Sequence, residues 1–206
     1  MGPFDRTDRL RWQAASLLAA APVAAFAAAD AQTGLNAPAT PQQRVEELHQ
    51  RVLAGRSATA TLEAWCAEHG LADKARVRAV RVQGVQRDAP DEVRRALQVE
   101  PGTPLRYRRV QLACGQHVLS EADNWYLPSL LTPAMNAVLD GSDEPFGRVV
   151  APLGFQRETL RDEAWWPARG EGTGATVLEI RALLRDSAQR PFSYVIESYL
   201  QGALPH

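Results

Sequence analysis

The run from Leu105 to Pro128 leaves this chain little choice of fold. Two β-rich segments meet at Cys114-Gly115-Gln116, which predicts a hairpin with strands over 105–114 and 116–127. Strand side chains alternate between faces, so Tyr107, Arg109 and Gln111 share one side while Arg106, Arg108, Val110 and Leu112 share the other. Neither side is purely apolar. The return strand carries Ser120-Glu121-Ala122-Asp123-Asn124 just before Trp125 and Tyr126, and polar groups so placed must be solvated, paired or turned toward a pocket. The hairpin alone therefore leaves two readings open: the wall of a pocket, or an edge hairpin with a wet outer face.

The remaining elements fall around this hairpin. Val45, Leu48, Val52 and Leu53 recur at helical spacing and Gly55 ends the segment, which predicts an amphipathic helix after Pro41. Ser57 to Glu63 offers Ser and Thr caps for a second helix with Leu62, Trp65, Cys66 and Leu71 on its apolar side. A strand is expected over 75–85, a helix over 90–97 and a turn over 100–104. Beyond the hairpin come a short helix over 132–139 and a loop over 144–148 that enters a short apolar helix. Strands over 155–166 and 175–185, with a loop over 168–174, precede a last strand over 192–200. Helices in front and strands behind indicate an α+β fold: an antiparallel sheet of about five or six strands with helices packed on one face. No internal repeat is visible.

Composition removes several function classes. With a net charge of -1 the chain has no general attraction to nucleic acid or to an anionic membrane. Lys74 is the only lysine, which reads as a coding bias, so the many arginines are not in themselves a sign of anion binding. His49, His69, His117 and His206 are scattered, and Cys66 and Cys114 have no metal spacing; no metal and no cofactor are expected. Arg6, Arg9 and Arg11 precede an alanine-rich apolar run and A-x-A sequences at 25–27 and 29–31, the layout of a secretory signal peptide. The run is too short for a stable membrane span. Residues 1–40 thus read as a leader, either an export signal or a disordered Ala-rich segment, ahead of one domain over 41–206. A periplasmic or secreted location is expected, with the cytoplasm as the alternative, and a monomer in either. In an oxidising compartment Cys66 and Cys114 form a link between the second helix and the hairpin; otherwise they are two buried thiols.

Few constellations carry chemistry. Gly170 to Gly174 has spaced glycines but neither the following helix nor the lysine of a phosphate loop, and reads as a flexible hairpin loop. Trp165-Trp166 is expected to pack over the sheet edge. That leaves Arg109, Asn124 and Glu197 as polar residues on predicted strands. Ser193, Val195, Glu197 and Tyr199 share a face, and a carboxylate there is costly if buried unless an arginine or a ligand meets it. Arg109 is the expected partner, as a structural ion pair or as part of a ligand site.

The order of Arg109-x-x-x-x-Cys114, a second strand ending at Pro128, the Pro145-Phe146-Gly147-Arg148 loop and a last strand with Glu197-x-x-Leu200 resembles chorismate lyase and its relatives. The resemblance spans roughly 57–200, and the fold is shared with the ligand-sensing domains of a large class of bacterial transcription regulators. It implies that Arg109 grips a carboxylate of an aromatic guest and that Glu197 meets the ring hydroxyl or ether oxygen, the two making up the catalytic pair. It implies also that the backbone of Phe146 and Gly147 holds the guest and that 57–63 is a helical flap. Two positions depart from the enzymes: Ala58 stands where they have methionine and Asn124 where they have a second arginine. Both remain candidate ligand contacts. Chorismate is a dianion that wants two strong clamps and an acid at its ether oxygen. The resemblance therefore supports three readings: a lyase giving 4-hydroxybenzoate and pyruvate, a non-catalytic binder or sensor of small aromatic acids, and a structural or partner-binding protein.

Overall fold

In the computed structural model, which describes residues 38–205, both N-terminal helices start at capping residues. Helix α1 (Pro41–Ala54) opens on Thr40, whose hydroxyl accepts from the Gln43 amide while the Gln43 side chain accepts from the Thr40 amide. This reciprocal cap satisfies two of the donors a helix start leaves open. Its buried stripe is Val45, Leu48 and Val52. Helix α2 (Ala58–Glu68) is capped by Ser57 and buries Leu62, Trp65 and Cys66. Gly55 lets the two pass closely, since a Cβ there would collide with the Thr61 hydroxyl.

The sheet has six strands: β1 (Val77–Arg81), β2 (Arg106–Cys114), β3 (His117–Tyr126), β4 (Gln156–Arg169), β5 (Thr176–Arg185) and β6 (Pro191–Leu200). Their order is β1-β2-β3-β6-β5-β4, and every pairing is antiparallel. The β2–β3 hairpin forms as its sequence indicates, turning at Gly115, whose φ of 58° is a conformation glycine adopts without strain. This is an α+β fold with a six-stranded antiparallel sheet. Strand β1 is shorter than the alternation over 75–85 suggests, because Gly84 takes a positive φ and turns the chain away.

Helices α1 and α2 cover the face that carries Val77, Leu112, Ile180 and Tyr199, all buried. Truncating one such large side chain costs about 2–5 kcal/mol. At one end of this face α4 (Pro133–Gly141) and α5 (Phe146–Val149) enclose Tyr126, Leu184 and Phe192. Helix α3 (Asp91–Leu97) lies on the opposite face, against Trp125, Leu183 and Tyr194. Cys66 and Cys114 form a disulfide that ties α2 to the end of β2. Neither outer edge of the sheet is bare. The Ala79 amide donates to the Asp143 carbonyl beside β1, while β4 carries Arg161, Asp162 and Glu163 along its length and Pro167 near its end. Trp166 is 40% exposed at that edge, and Arg169 stacks on Trp165. Residues 1–37, where most of the expected leader falls, and His206 lie outside the described residues.

Candidate ligand-binding site

Register decides which polar residues meet. Across β2, β3 and β6, Arg108 lies opposite Asn124 and Asn124 opposite Val195; in the next row Val110 faces Ala122 and Ala122 faces Glu197. These residues therefore share the helix-covered face. Arg109 lies opposite Asp123, which lies opposite Ile196, on the other face. The expectation that Arg109 and Glu197 point at one guest is thus corrected: a side-chain period of two puts them on opposite sides of the sheet. Arg109 instead donates to Glu121 at 2.6 Å and stands 3.6 Å from Asp123. Glu121 also accepts from Gln111, and Asp123 from Tyr107 and Arg87. Bonds from Gln111 and Arg109 hold the Glu121 carboxyl below its usual range. Burial, followed by the bond to Asp123, pushes the Tyr107 hydroxyl up to about 12.

On the inner face Arg108, Asn124 and Glu197 line a cavity of about 60 Å³, together with Ala58 of the α2 start and with Phe146 and Gly147 of α5. Five of the six residues expected at the site therefore line the cavity; the sixth, Arg109, does not, and its neighbour Arg108 does. The rest of the wall is mainly apolar, with Val110, Leu112, Phe155 and Leu184. Ser57 and Thr59 line the cavity too, so the positive end of the α2 dipole lies at its wall. Gly147 fits close under α2, since a Cβ there would come 3.0 Å from the Ser57 hydroxyl.

The charges around the cavity are unequally matched. Arg157 donates to Glu197 Oε2 at 2.6 Å, and the Tyr199 hydroxyl donates to the same oxygen at 3.0 Å. The two ionic side chains are only 3% and 9% exposed. The partner expected for Glu197 is therefore supplied by β4, two residues after Phe155. Arg108 is 3% exposed and, among the described residues, has no carboxylate partner. Among the described residues its guanidinium reaches only the Ser142 and Glu144 carbonyls at 3.3–3.4 Å, and its Nε has no acceptor there. Burial, with Arg81 nearby, lowers the pKa of Arg108. Asn124 Oδ1 accepts from the Ser193 hydroxyl at 2.7 Å, which leaves its amide nitrogen to donate elsewhere. Among the described residues no group of three or more His, Cys, Asp or Glu is close enough to hold a metal, and no helix is long and apolar enough to cross a membrane.

An α+β architecture built on a six-stranded antiparallel sheet with helices is consistent with the chorismate lyase-like fold. The effector domain of PhnF from Mycobacterium smegmatis superposes with a TM-score of 0.51 at 12% identity, covering 70% of this chain and 88% of that one. PhnF from Mycobacterium smegmatis also gives 0.51, at 9% identity, over 77% of this chain and 80% of that one. At such identities the likeness is one of fold. No family model matches the chain. The uncharacterized protein y4mC of Sinorhizobium fredii (strain NBRC 101917 / NGR234) is 39% identical over 190 residues, 81% of this chain and 80% of that protein, and the chain belongs to its family.

Proposed function

We propose that the protein binds a small organic acid in this cavity, with the acid's carboxylate on Arg108 and its apolar body against Phe146, Phe155 and Leu184. The observation that carries this reading is the buried Arg108 guanidinium, which has no carboxylate partner among the described residues. Leaving a charge buried and uncompensated costs several kcal/mol, and a bidentate carboxylate would remove much of that cost. Arg157 is already matched by Glu197, so the cavity offers one uncompensated positive charge and takes one carboxylate. Both bonds that Glu197 accepts fall on Oε2, leaving Oε1 for a hydroxyl of a hydroxybenzoate-like guest.

Chorismate cleavage is the finer alternative, and Glu197 in the same cavity as Arg108 favours it. Asn124 brings no second charge for a dianion, so binding without turnover is the better-supported role. A cavity of about 60 Å³ is also small for a ring, since a cavity of about 150 Å³ is one that admits benzene. Entry of an aromatic acid therefore requires α5 and the first turn of α2 to move apart. The Cys66–Cys114 bond supports a periplasmic or secreted setting for a domain comprising residues 41–206. The covered and charged sheet edges support a monomer.

The test is a thermal-shift and calorimetric titration with benzoate, 4-hydroxybenzoate and chorismate, with chromatography for 4-hydroxybenzoate released from chorismate. A ligand at a hundred times its Kd should stabilise the fold by about 2.7 kcal/mol. Absence of any shift at millimolar concentrations would sink the binding role, and release of 4-hydroxybenzoate would replace it with catalysis.

A further inference from the structure

Beside the cavity lies a groove of about 770 Å³ on the protein surface. Ser57, Thr59, Gly147, Phe155 and Arg157 line both, so a single wall divides the cavity from the groove. Its lining is rich in positive charge, with Arg56, Arg148 and Arg157 against Glu63 alone. Two of these arginines are engaged: Arg148 pairs with Glu63 and Glu144, and Arg157 pairs with Glu197. Arg56 is exposed and, among the described residues, makes no ion pair. Arg157 stands on the shared wall with its side chain 3% exposed and its Nε without an acceptor.

The sizes of the two spaces are unequal in a way that bears on the guest. About 60 Å³ holds a few water-sized groups, enough for a carboxylate and a short apolar stub. Anything longer must run outward past Phe155 and Gly147 into the groove, where the next uncompensated charge is that of Arg56. We propose that the groove is a second anion subsite and that the preferred guest is an elongated dianion. Its inner end is a carboxylate held by Arg108, its middle is apolar, and its outer end is a carboxylate or phosphate held by Arg56. This rests on the carboxylate reading of the inner cavity and extends it.

The test is calorimetry of the full chain with straight-chain monocarboxylates of increasing length, the matching α,ω-dicarboxylates, and the matching ω-phosphorylated acids. It is run on the native protein, on Arg56→Gln and on Arg108→Gln. For one chain length the dianion should bind at least about tenfold more tightly than the monocarboxylate, a difference of about 1.4 kcal/mol. Arg56→Gln, an exposed substitution that does not threaten folding, should erase that gain and leave monocarboxylate affinity unchanged. The dicarboxylate and phosphorylated series together identify which outer anion is preferred. Monocarboxylate binding with no dianion preference at any length would overturn the groove and leave the inner cavity standing. So would an Arg56→Gln loss shared equally by both ligand types. Failure of every acid in each series to bind would overturn both.

Discussion

Arg108 and Arg109 are neighbours in sequence and opposites in circumstance. Arg109, on the outer face, meets two carboxylates, Glu121 and Asp123, which are themselves bonded to Gln111, Tyr107 and Arg87. Arg108, on the inner face, is nearly sealed from water and among the described residues meets only peptide carbonyls at long range. A cation whose needs are met within the fold explains the fold. One whose needs are unmet, in a cavity, points beyond it.

The sharpest way to test this comparison is to break the matched pair that borders the cavity. Glu197→Gln leaves Arg157 buried without its carboxylate and should destabilise the protein by about 3–5 kcal/mol, read from urea unfolding. Replacing Arg157 and Glu197 together by Met should recover most of that loss. Next in size, Arg108→Gln should weaken benzoate-type binding by about a hundredfold, roughly 2.7 kcal/mol, in calorimetric titration. The same variant without ligand should be as stable as the native protein or more so, because an uncompensated buried charge has been removed. A marked loss of stability would mean that Arg108 is simply structural.

Arg109→Gln should cost less than about 1 kcal/mol, since the outer-face pairs are part-exposed, and should leave ligand affinity unchanged. Two carboxylates, one on each side of the sheet, contribute to the acid response. Glu121 is held low by Gln111 and Arg109, and Glu144 by Arg148 and Arg76. Because their folded pKa values are depressed, the unfolded chain takes up protons first on acidification. Their contribution is complete above the unfolded carboxylate value of about 4.3 and is lost as pH falls through the lower folded values. Urea midpoints measured against pH should show this loss, and Glu121→Gln should flatten it.

Much of the fold was legible in the sequence because local signals agreed. Thr40, Ser57 and Thr132 cap three helices whose apolar residues recur at helical spacing, and the Gly115 turn lies between two alternating runs. The faces of β2 were legible as well, with Arg108 alternating with Val110 and Leu112. The register of β3 against β6 was not, and it alone decides which hairpin arginine shares a side with Glu197. Parity could have helped, since the arginine in step with Val110 and Leu112 is the one carried to the covered face. Arg157 was harder to find because β4 is an edge strand whose exposed residues hide its alternation. Only Phe155, two positions earlier, marks the inward side.

The bond between Cys66 and Cys114 closes 48 residues of chain and by loop entropy stabilises the fold by about 4 kcal/mol. Its position on α2 governs motion too. Ser57 lies nine residues before Cys66, and a rise of 1.5 Å per residue makes this a lever about 13 Å long, anchored at the sulfur end. A tilt of about 15° around that anchor displaces the Ser57 tip by about 3.5 Å, close to the thickness of an aromatic ring. Admission of a flat guest at the Ser57 end would therefore ask for a tilt of only this size, with the sulfur end held in place.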